Sequence, residues 1–319
     1  MTPARANAIY RGRFAPTPSG PLHLGSLLTA LASWLDARAA RGRWLLRIDD
    51  LDRARCPAEA EPTILRQLEA HGLTWDETPR RQSAHLAEYE AALEVLGTRQ
   101  RLFACTCTRA MLAKASLDGP DGPVYPGTCR AGNARRGPQA TRFRIDDGLT
   151  RLDDSIQGAC NRSNARDIGD FIVRRNDGIP GYHLACTVDE IALNVTHVVR
   201  GADLLGSTFC QLQLFQELGA PPPAYGHLPV LIDSRDGHKL SKQNHASPVD
   251  ARHAGDNLLL CLSLLGQDPP PVLERGTAGE ILDWALANWG IRSVPGRAEL
   301  ALHPGMSYIY ARSVSGILR

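Results

Sequence analysis

Three groups of side chains in this sequence have the types and spacing to do chemistry. The first is the run Arg13-Phe14-Ala15-Pro16-Thr17-Pro18-Ser19-Gly20-Pro21-Leu22-His23-Leu24-Gly25-Ser26. Its prolines and glycines restrict the turn and keep Cβ atoms away from anything that approaches the start of the following helix. There, unpaired amides and the helix dipole favour a phosphate, and His23 can donate to a phosphate oxygen. A purely structural turn would use the same residues. The second group is Asp236-Gly237-His238-Lys239-Leu240-Ser241-Lys242-Gln243. A glycine beside two lysines and a serine suits a loop that closes over a polyphosphate and neutralises a leaving pyrophosphate, or else a solvated surface loop. The chain has only three lysines, Lys114, Lys239 and Lys242, among 36 basic residues, so two of them within four positions of each other argue for the phosphate role. The third group, Cys105-Thr106-Cys107 with Cys129, offers soft ligands for zinc, and a tetrahedral site needs a fourth. The other five cysteines, Cys56, Cys160, Cys186, Cys210 and Cys261, read as buried or incidental.

The elements that must position these groups follow from hydrophobic period and turn residues. Residues 8–14 read as a strand, 15–20 as a turn, 24–39 as a helix and 44–48 as a strand, which together form a βαβ unit and the seed of a parallel, doubly wound sheet. Helical patterns follow at 59–71 and 84–96. From about residue 103 to 178, cysteines, Gly-Pro pairs and the loop Asp118-Gly119-Pro120-Asp121-Gly122-Pro123 interrupt the rhythm, which predicts an insertion. A strand at 195–199, a helix through 204–218 and a short buried strand at 228–232 resume it. Helical periodicity at 254–265 and 279–289 predicts a short helical segment. The expected layout is a Rossmann-type catalytic domain in two halves, 1–100 and 179–245, with an insertion at 101–178 and a C-terminal helical segment at 246–319.

Composition narrows the class. The 319 residues are 43 % hydrophobic and 22 % charged, which is globular, and the net charge of +2 permits a local basic face without a basic tail. No window holds the roughly 18 apolar residues of a membrane span, and residues 1–14 carry no signal-peptide core, so a soluble, cytoplasmic protein with reduced thiols is expected. No repeat at a 20 to 50 residue period is visible.

The ordered motifs resemble a class I aminoacyl-tRNA synthetase of the glutamyl branch. Pro21-Leu22-His23-Leu24-Gly25-Ser26 stands where that class has His-Ile-Gly-His, and Lys239-Leu240-Ser241-Lys242-Gln243 where it has Lys-Met-Ser-Lys-Ser. Leu46-Arg47-Ile48-Asp49-Asp50-Leu51-Asp52, Tyr182-His183-Leu184-Ala185 and Val199-Arg200-Gly201-Ala202-Asp203-Leu204 match in the same order, so that the likeness runs through residues 9–243. Within the branch the chain is most similar to the short paralogues that lack an anticodon-binding domain.

The resemblance implies ATP-dependent activation of L-glutamate, with Mg²⁺ accompanying ATP, followed by transfer to queuosine at the wobble position of tRNA(Asp). It implies glutamate binding by Arg13, Phe14, Ala15, Pro16, Thr17, Asp49, Tyr182 and Arg200. Two guanidinium groups suit a carboxylate, and Asp49, where the family usually has glutamate, would take the α-ammonium. ATP binding falls to His23, Gly25, Ser26, Lys239, Ser241 and Lys242, with His23 and Lys242 stabilising the transition state. Structural Zn²⁺ falls to Cys105, Cys107, Tyr125 and Cys129. His183, His197 and His227 read as core or supporting residues, because the substrate carboxylate is already the nucleophile. A monomer is expected. Two rivals remain: an ordinary glutamyl-tRNA synthetase charging a 3′ end, for which 77 residues after Lys242 leave little room, and a catalytically silent RNA-binding protein, against which His23, Lys242, Arg13 and Arg200 argue.

Overall fold

The computed structural model describes residues 9–132, 137–235, 237, 239 and 247–302. It opens as expected with β1 (Arg11–Phe14), α1 (Leu24–Ala39) and β2 (Arg43–Ile48). The two strands are parallel, with Arg13 beside Leu45. After α2 (Ala60–Ala70), the two-residue β3 (Arg80–Arg81) pairs with the end of β2, and α3 (Leu86–Thr98) follows. Helix α1 shows why this unit forms. Leu24, Leu27, Leu28, Leu31 and Leu35 recur at helical spacing, and Ala30, Ala32 and Ala37 are buried on the remaining sides. A helix apolar on nearly all sides must be enclosed, and small alanines let neighbours come close.

The stretch read as an insertion holds one short helix, α4 (Arg109–Ala115), and short strands: β4 (Leu102–Cys105), β5 (Leu117–Gly119), β6 (Gly122–Val124), β7 (Ala140–Phe143), β8 (Leu149–Asp154), β9 (Gly158–Ser163) and β10 (Phe171–Arg174). Strand β7 lies antiparallel between β4 and β10, and β8 and β9 form a hairpin. These strands are three to six residues long and carry arginine, aspartate and cysteine, so hydrophobic alternation is too brief to announce them.

The second half comprises α5 (Tyr182–Ala192), β11 (His197–Gly201), α6 (Leu205–Leu218), β12 (Ala224–Leu228), β13 (Val230–Asp233), α7 (Ala254–Leu264), α8 (Ala278–Asn288) and β14 (Glu299–Leu302). The strand expected at 228–232 is divided between β12 and β13. Pro229 lies between them, and with no N–H to donate it cannot continue the ladder. Strands β11 and β12 are parallel. Strand β11 is seated against β1 because the Thr196 N–H donates to Arg11 O at 2.9 Å and the Arg11 N–H donates to Thr196 Oγ1 at 2.8 Å. On its far side, β12 meets β8 at Tyr225 and Asp154. Two sheets, β3-β2-β1 and β11-β12-β8-β9, therefore meet where β1 lies beside β11, an α/β Rossmann-like arrangement with an antiparallel hairpin at one edge.

Helices α7 and α8 pack on α1, and Leu258, Leu262, Ile281 and Leu282 share one core with Leu28 and Leu31. Strand β14, which the sequence did not announce, pairs parallel with β13. Among the described residues, no helix is long and apolar enough to cross a membrane. Because Leu31 is fully buried at the centre of this core, Leu31→Ala is expected to lower the unfolding free energy by about 2–5 kcal/mol. Urea or guanidinium denaturation measures this loss, and an unchanged midpoint would contradict the placement.

Candidate active site

Parallel α/β sheets bind ligands beyond the carboxyl ends of their strands, where the chain order reverses. Here that point lies between β1, which continues to β2 on one side, and β11 on the other. A cavity of about 280 Å³ opens there, lined among others by Arg13, Phe14, Ala15, Pro16, Thr17, His23, Gly25, Ser26, Tyr182, Arg200 and Lys239. Eleven of the residues expected to bind glutamate or ATP are thus brought together from five separate segments. Ser241 and Lys242 lie outside the described residues.

Arg13 and Arg200 end their strands facing this cavity, and neither is a surface arginine, since each is 3 % exposed. Arg13 donates from Nε and Nη2 to Glu190 Oε1 at 3.3 and 3.0 Å. Arg200 donates from Nη2 to Thr208 Oγ1 at 2.7 Å and to Gln211 Oε1 at 2.8 Å. Its Nη1 is buried and without a partner. An unanswered charged donor in a cavity wall is costly, and an entering carboxylate would satisfy it. Behind Arg200, the His227 imidazole packs with its Nδ1 2.6 Å from Asp154 Oδ2 and its Nε2 2.8 Å from Thr208 Oγ1. Burial holds His227 below the usual imidazole range, against the opposing pull of Asp154. A neutral ring with Nδ1–H on Asp154 leaves Nε2 as the acceptor that Thr208 and Arg200 require.

Asp49 lies apart from the cavity wall. Its carboxylate accepts from Arg47 Nε at 2.7 Å and Nη2 at 3.1 Å, and it is Arg47 that lines the cavity. Burial pushes the Asp49 carboxyl up, while Arg47 pulls it down. Arg47 is also 3.7 Å from Asp189 and 3.6 Å from Glu190. Sequence reasoning passed over Arg47, Asp189 and Glu190. The available signal was the Asp-Glu pair inside the otherwise apolar 182–192 stretch, since buried carboxylates need cationic partners.

His23 is the N-cap of α1. Its Nδ1 accepts from the Ser26 N–H at 3.3 Å, and its Nε2 lies 3.0 Å from Ser26 Oγ. The capping bond makes Nδ1 the acceptor and so leaves the proton on Nε2, a donor at the helix N-terminus beside the cavity. Across the mouth, Lys239 Nζ donates to Asp203 Oδ2 at 2.6 Å.

The third constellation also assembles. Cys105, Cys107 and Cys129 bring their sulfurs within 4.8 Å of one another. Cys107 Sγ is 3.7 Å from Cys129 Sγ, and Tyr125 OH lies 3.5 Å from Cys105 Sγ and 3.8 Å from Cys107 Sγ. Zinc–sulfur bonds of about 2.3 Å and a zinc–oxygen bond of about 2.0 Å set tetrahedral edges of roughly 3.8 and 3.5 Å, so the spacing fits a metal ion. Burial opposes ionisation of Cys105, and contacts with Tyr125 and Arg142 outweigh it, lowering the thiol to about 7. The long 108–124 connection does not prevent closure, because it folds into α4 and the β5–β6 hairpin.

A nucleotide-type switch point flanked by buried arginines, a histidine-capped helix and Lys239 defines a class, and comparison with known proteins agrees. The family of tRNA synthetases class I (E and Q), catalytic domain, matches residues 10–262, and the chain belongs to it. Within that class it belongs with the glutamyl-Q tRNA(Asp) synthetases, which are ligases. It is 48 % identical over 297 residues to the glutamyl-Q tRNA(Asp) synthetase of Methylococcus capsulatus, covering 92 % of this chain and 96 % of that protein. It is also 48 % identical over 285 residues to that of Thiobacillus denitrificans, covering 89 % and 94 %. The crystal structure of glutamate-tRNA synthetase from Elizabethkingia anophelis shares the fold, with a TM-score of 0.76 at 22 % identity over 98 % of this chain and 71 % of that one.

Burial lowers the imidazoles of His71, His183 and His227, that of His183 to about 4. In the unfolded chain these groups take up protons near pH 6.5, whereas the folded protein resists, so stability is expected to fall as pH drops from about 6.5 to about 4. A denaturation midpoint lower at pH 5 than at pH 7 is the expected result, and a flat profile would contradict neutral burial.

Proposed function

We propose that this chain activates L-glutamate with ATP as glutamyl-adenylate and transfers the glutamyl group to queuosine at the wobble position of tRNA(Asp). The observation that carries the activation step is the unpartnered Arg200 Nη1 beside Arg13 in the cavity wall. The two guanidinium groups take the side-chain carboxylate of glutamate, and Tyr182 adds a hydroxyl. Residues Phe14 to Thr17 shape the wall. Asp49, already paired with Arg47, reaches the α-ammonium through a water. The substrate's α-carboxylate attacks the α-phosphorus of ATP and pyrophosphate leaves. His23, Gly25 and Ser26 at the start of α1 stabilise the charge that develops on the phosphate, and Lys239, Ser241 and Lys242 follow the pyrophosphate, with Mg²⁺ entering as the partner of ATP. The likeness to glutamyl-Q tRNA(Asp) synthetases supports queuosine as acceptor.

Residues 1–100 and 179–245 serve as the catalytic unit, 101–178 as an RNA-facing insertion and 246–319 as a closing segment, and the protein works as a monomer. Zn²⁺ held by Cys105, Cys107, Tyr125 and Cys129 would fill its coordination shell with protein ligands, so its contribution is to fix the insertion.

Glutamate-dependent exchange of pyrophosphate into ATP is expected without RNA, with Lys242→Ala lowering it by roughly 10²-fold to 10³-fold. After reaction with queuosine-containing tRNA(Asp), nucleoside mass spectrometry is expected to find glutamate on queuosine. Glutamate on the 3′-terminal adenosine of tRNA(Glu) would overturn the proposal. Elemental analysis of protein purified without chelator is expected to give one equivalent of zinc, lost in Cys129→Ser, and a metal-free wild type would remove the zinc site.

A further inference from the structure

Where the Arg200 fork points depends on groups that reach back across three adjacent strands, β11, β12 and β8. Two of its three nitrogens are committed to the protein. Nε donates to His227 Nε2 at 3.4 Å, and Nη2 donates to Thr208 Oγ1 and Gln211 Oε1 at 2.7 and 2.8 Å, which leaves Nη1 open. We propose that Asp154 and His227, both buried and neither of them lining the cavity, are positioning residues for the substrate. Through Arg200 they fix the donor that receives the side-chain carboxylate, and so set the affinity for glutamate. This rests on the glutamate activation proposed above and assigns the residues that tune its substrate site.

The turn from β8 into β9 grips His227 at three points. Asp154 Oδ1 accepts the His227 backbone N–H at 3.1 Å, Asp154 Oδ2 lies 2.6 Å from the ring Nδ1, and the Gln157 side-chain amide donates to the His227 carbonyl at 2.7 Å. Ser155 ties the same turn to β12, its N–H and its hydroxyl both donating to Tyr225 O, at 2.9 and 3.1 Å. Backbone, ring orientation and tautomer of His227 are thus all set from one turn, and residues 154–157 contribute nothing to the cavity lining.

An ionised carboxylate only accepts, so Asp154 Oδ2 keeps the ring proton on Nδ1 and leaves a lone pair on Nε2. That lone pair is what Arg200 Nε requires. A proton on Nε2 would face the Arg200 Nε–H across 3.4 Å, donor against donor. The guanidinium would then have to turn, and Nη1 would turn with it. Asp154→Asn imposes this state. Asp154 Oδ1 accepts the N–H groups of Ile156, Gln157 and His227 at 2.9, 2.8 and 3.1 Å. Three donors hold an amide oxygen at that position, so the new NH₂ takes the place of Oδ2, faces Nδ1, and drives the ring proton to Nε2.

Pyrophosphate exchange by the full-length protein tests this, with KM for glutamate, KM for ATP and kcat measured separately. Asp154→Asn is expected to raise the glutamate KM by about tenfold or more and to keep the ATP KM and kcat within about threefold of wild type. At position 227 two variants separate orientation from packing. His227→Gln brings an amide oxygen that accepts from Arg200 Nε, and its glutamate KM is expected to stay within about threefold of wild type. His227→Leu fills the space without an acceptor, and its glutamate KM is expected to rise about tenfold. A Leu variant that matches or betters the Gln variant overturns the positioning role, as does Asp154→Asn with the wild-type glutamate KM, or a parallel loss in ATP KM and kcat. A wild-type protein without glutamate-dependent exchange refutes the proposed activation itself, and this role with it.

Discussion

A guanidinium group taken out of water must find acceptors, and this molecule buries several of them at one place. Arg13, Arg47 and Arg200 are each nearly inaccessible at the ends of β1, β2 and β11. Their counter-charges come largely from one helix, since Glu190 on α5 pairs with Arg13 and lies near Arg47. The neighbouring Asp189 gathers Arg80, Gln82 and Tyr89 as well, at 2.7 to 2.8 Å. This one arrangement fixes α5 against β1, β2, β3 and α3. Removing a single partner would leave an uncompensated buried charge, so the network behaves as a unit and holds the two halves of the sheet in register.

Arg200 extends the same constraint to the other edge. Its partners Thr208 and Gln211 lie on α6, and Thr208 is held in turn by His227 of β12 and, through it, Asp154 at the end of β8. The β8–β9 hairpin is therefore more than an appendage, because Asp154, the last residue of β8, orients the imidazole behind the cavity-lining arginine. Asp154 also accepts the backbone N–H groups of Ile156, Gln157 and His227. That many donors keep the carboxyl ionised despite its burial.

What the sequence made legible follows from distance along the chain. The strand, turn and helix of 8–39 were readable because every determinant is local: leucine spacing, prolines before the helix, and a histidine at its cap. Cys105, Cys107, Tyr125 and Cys129 were readable as residue types, and their convergence depends on β4, α4 and the β5–β6 hairpin, which are too short to leave a pattern. Asp154 was not readable as part of the site, and the Asp-Glu pair at 189–190 signalled a buried charge without naming its partners. Glu190 is 177 positions from Arg13, and Asp154 is 73 from His227, and nothing in a period of 2 or 3.6 residues encodes such a pairing. Pro229 was the missed local cue, since it alone divides β12 from β13.

The same burial explains why such a cavity can prefer a carboxylate to an amide. In water, a guanidinium and a carboxylate each give up hydration when they meet, and the gain is small. Here the protein has already removed water from Arg13 and Arg200 during folding and has fixed all but one face of the Arg200 fork. An arriving carboxylate is the only partner still to be desolvated, and it meets donors that need no reorganisation. A neutral amide of the same shape would bring one oxygen and an NH₂ group that faces donors, leaving Nη1 unanswered or opposed. Discrimination then comes from the cost of leaving a buried cation without its counter-charge, which is larger than the gain from any single added contact.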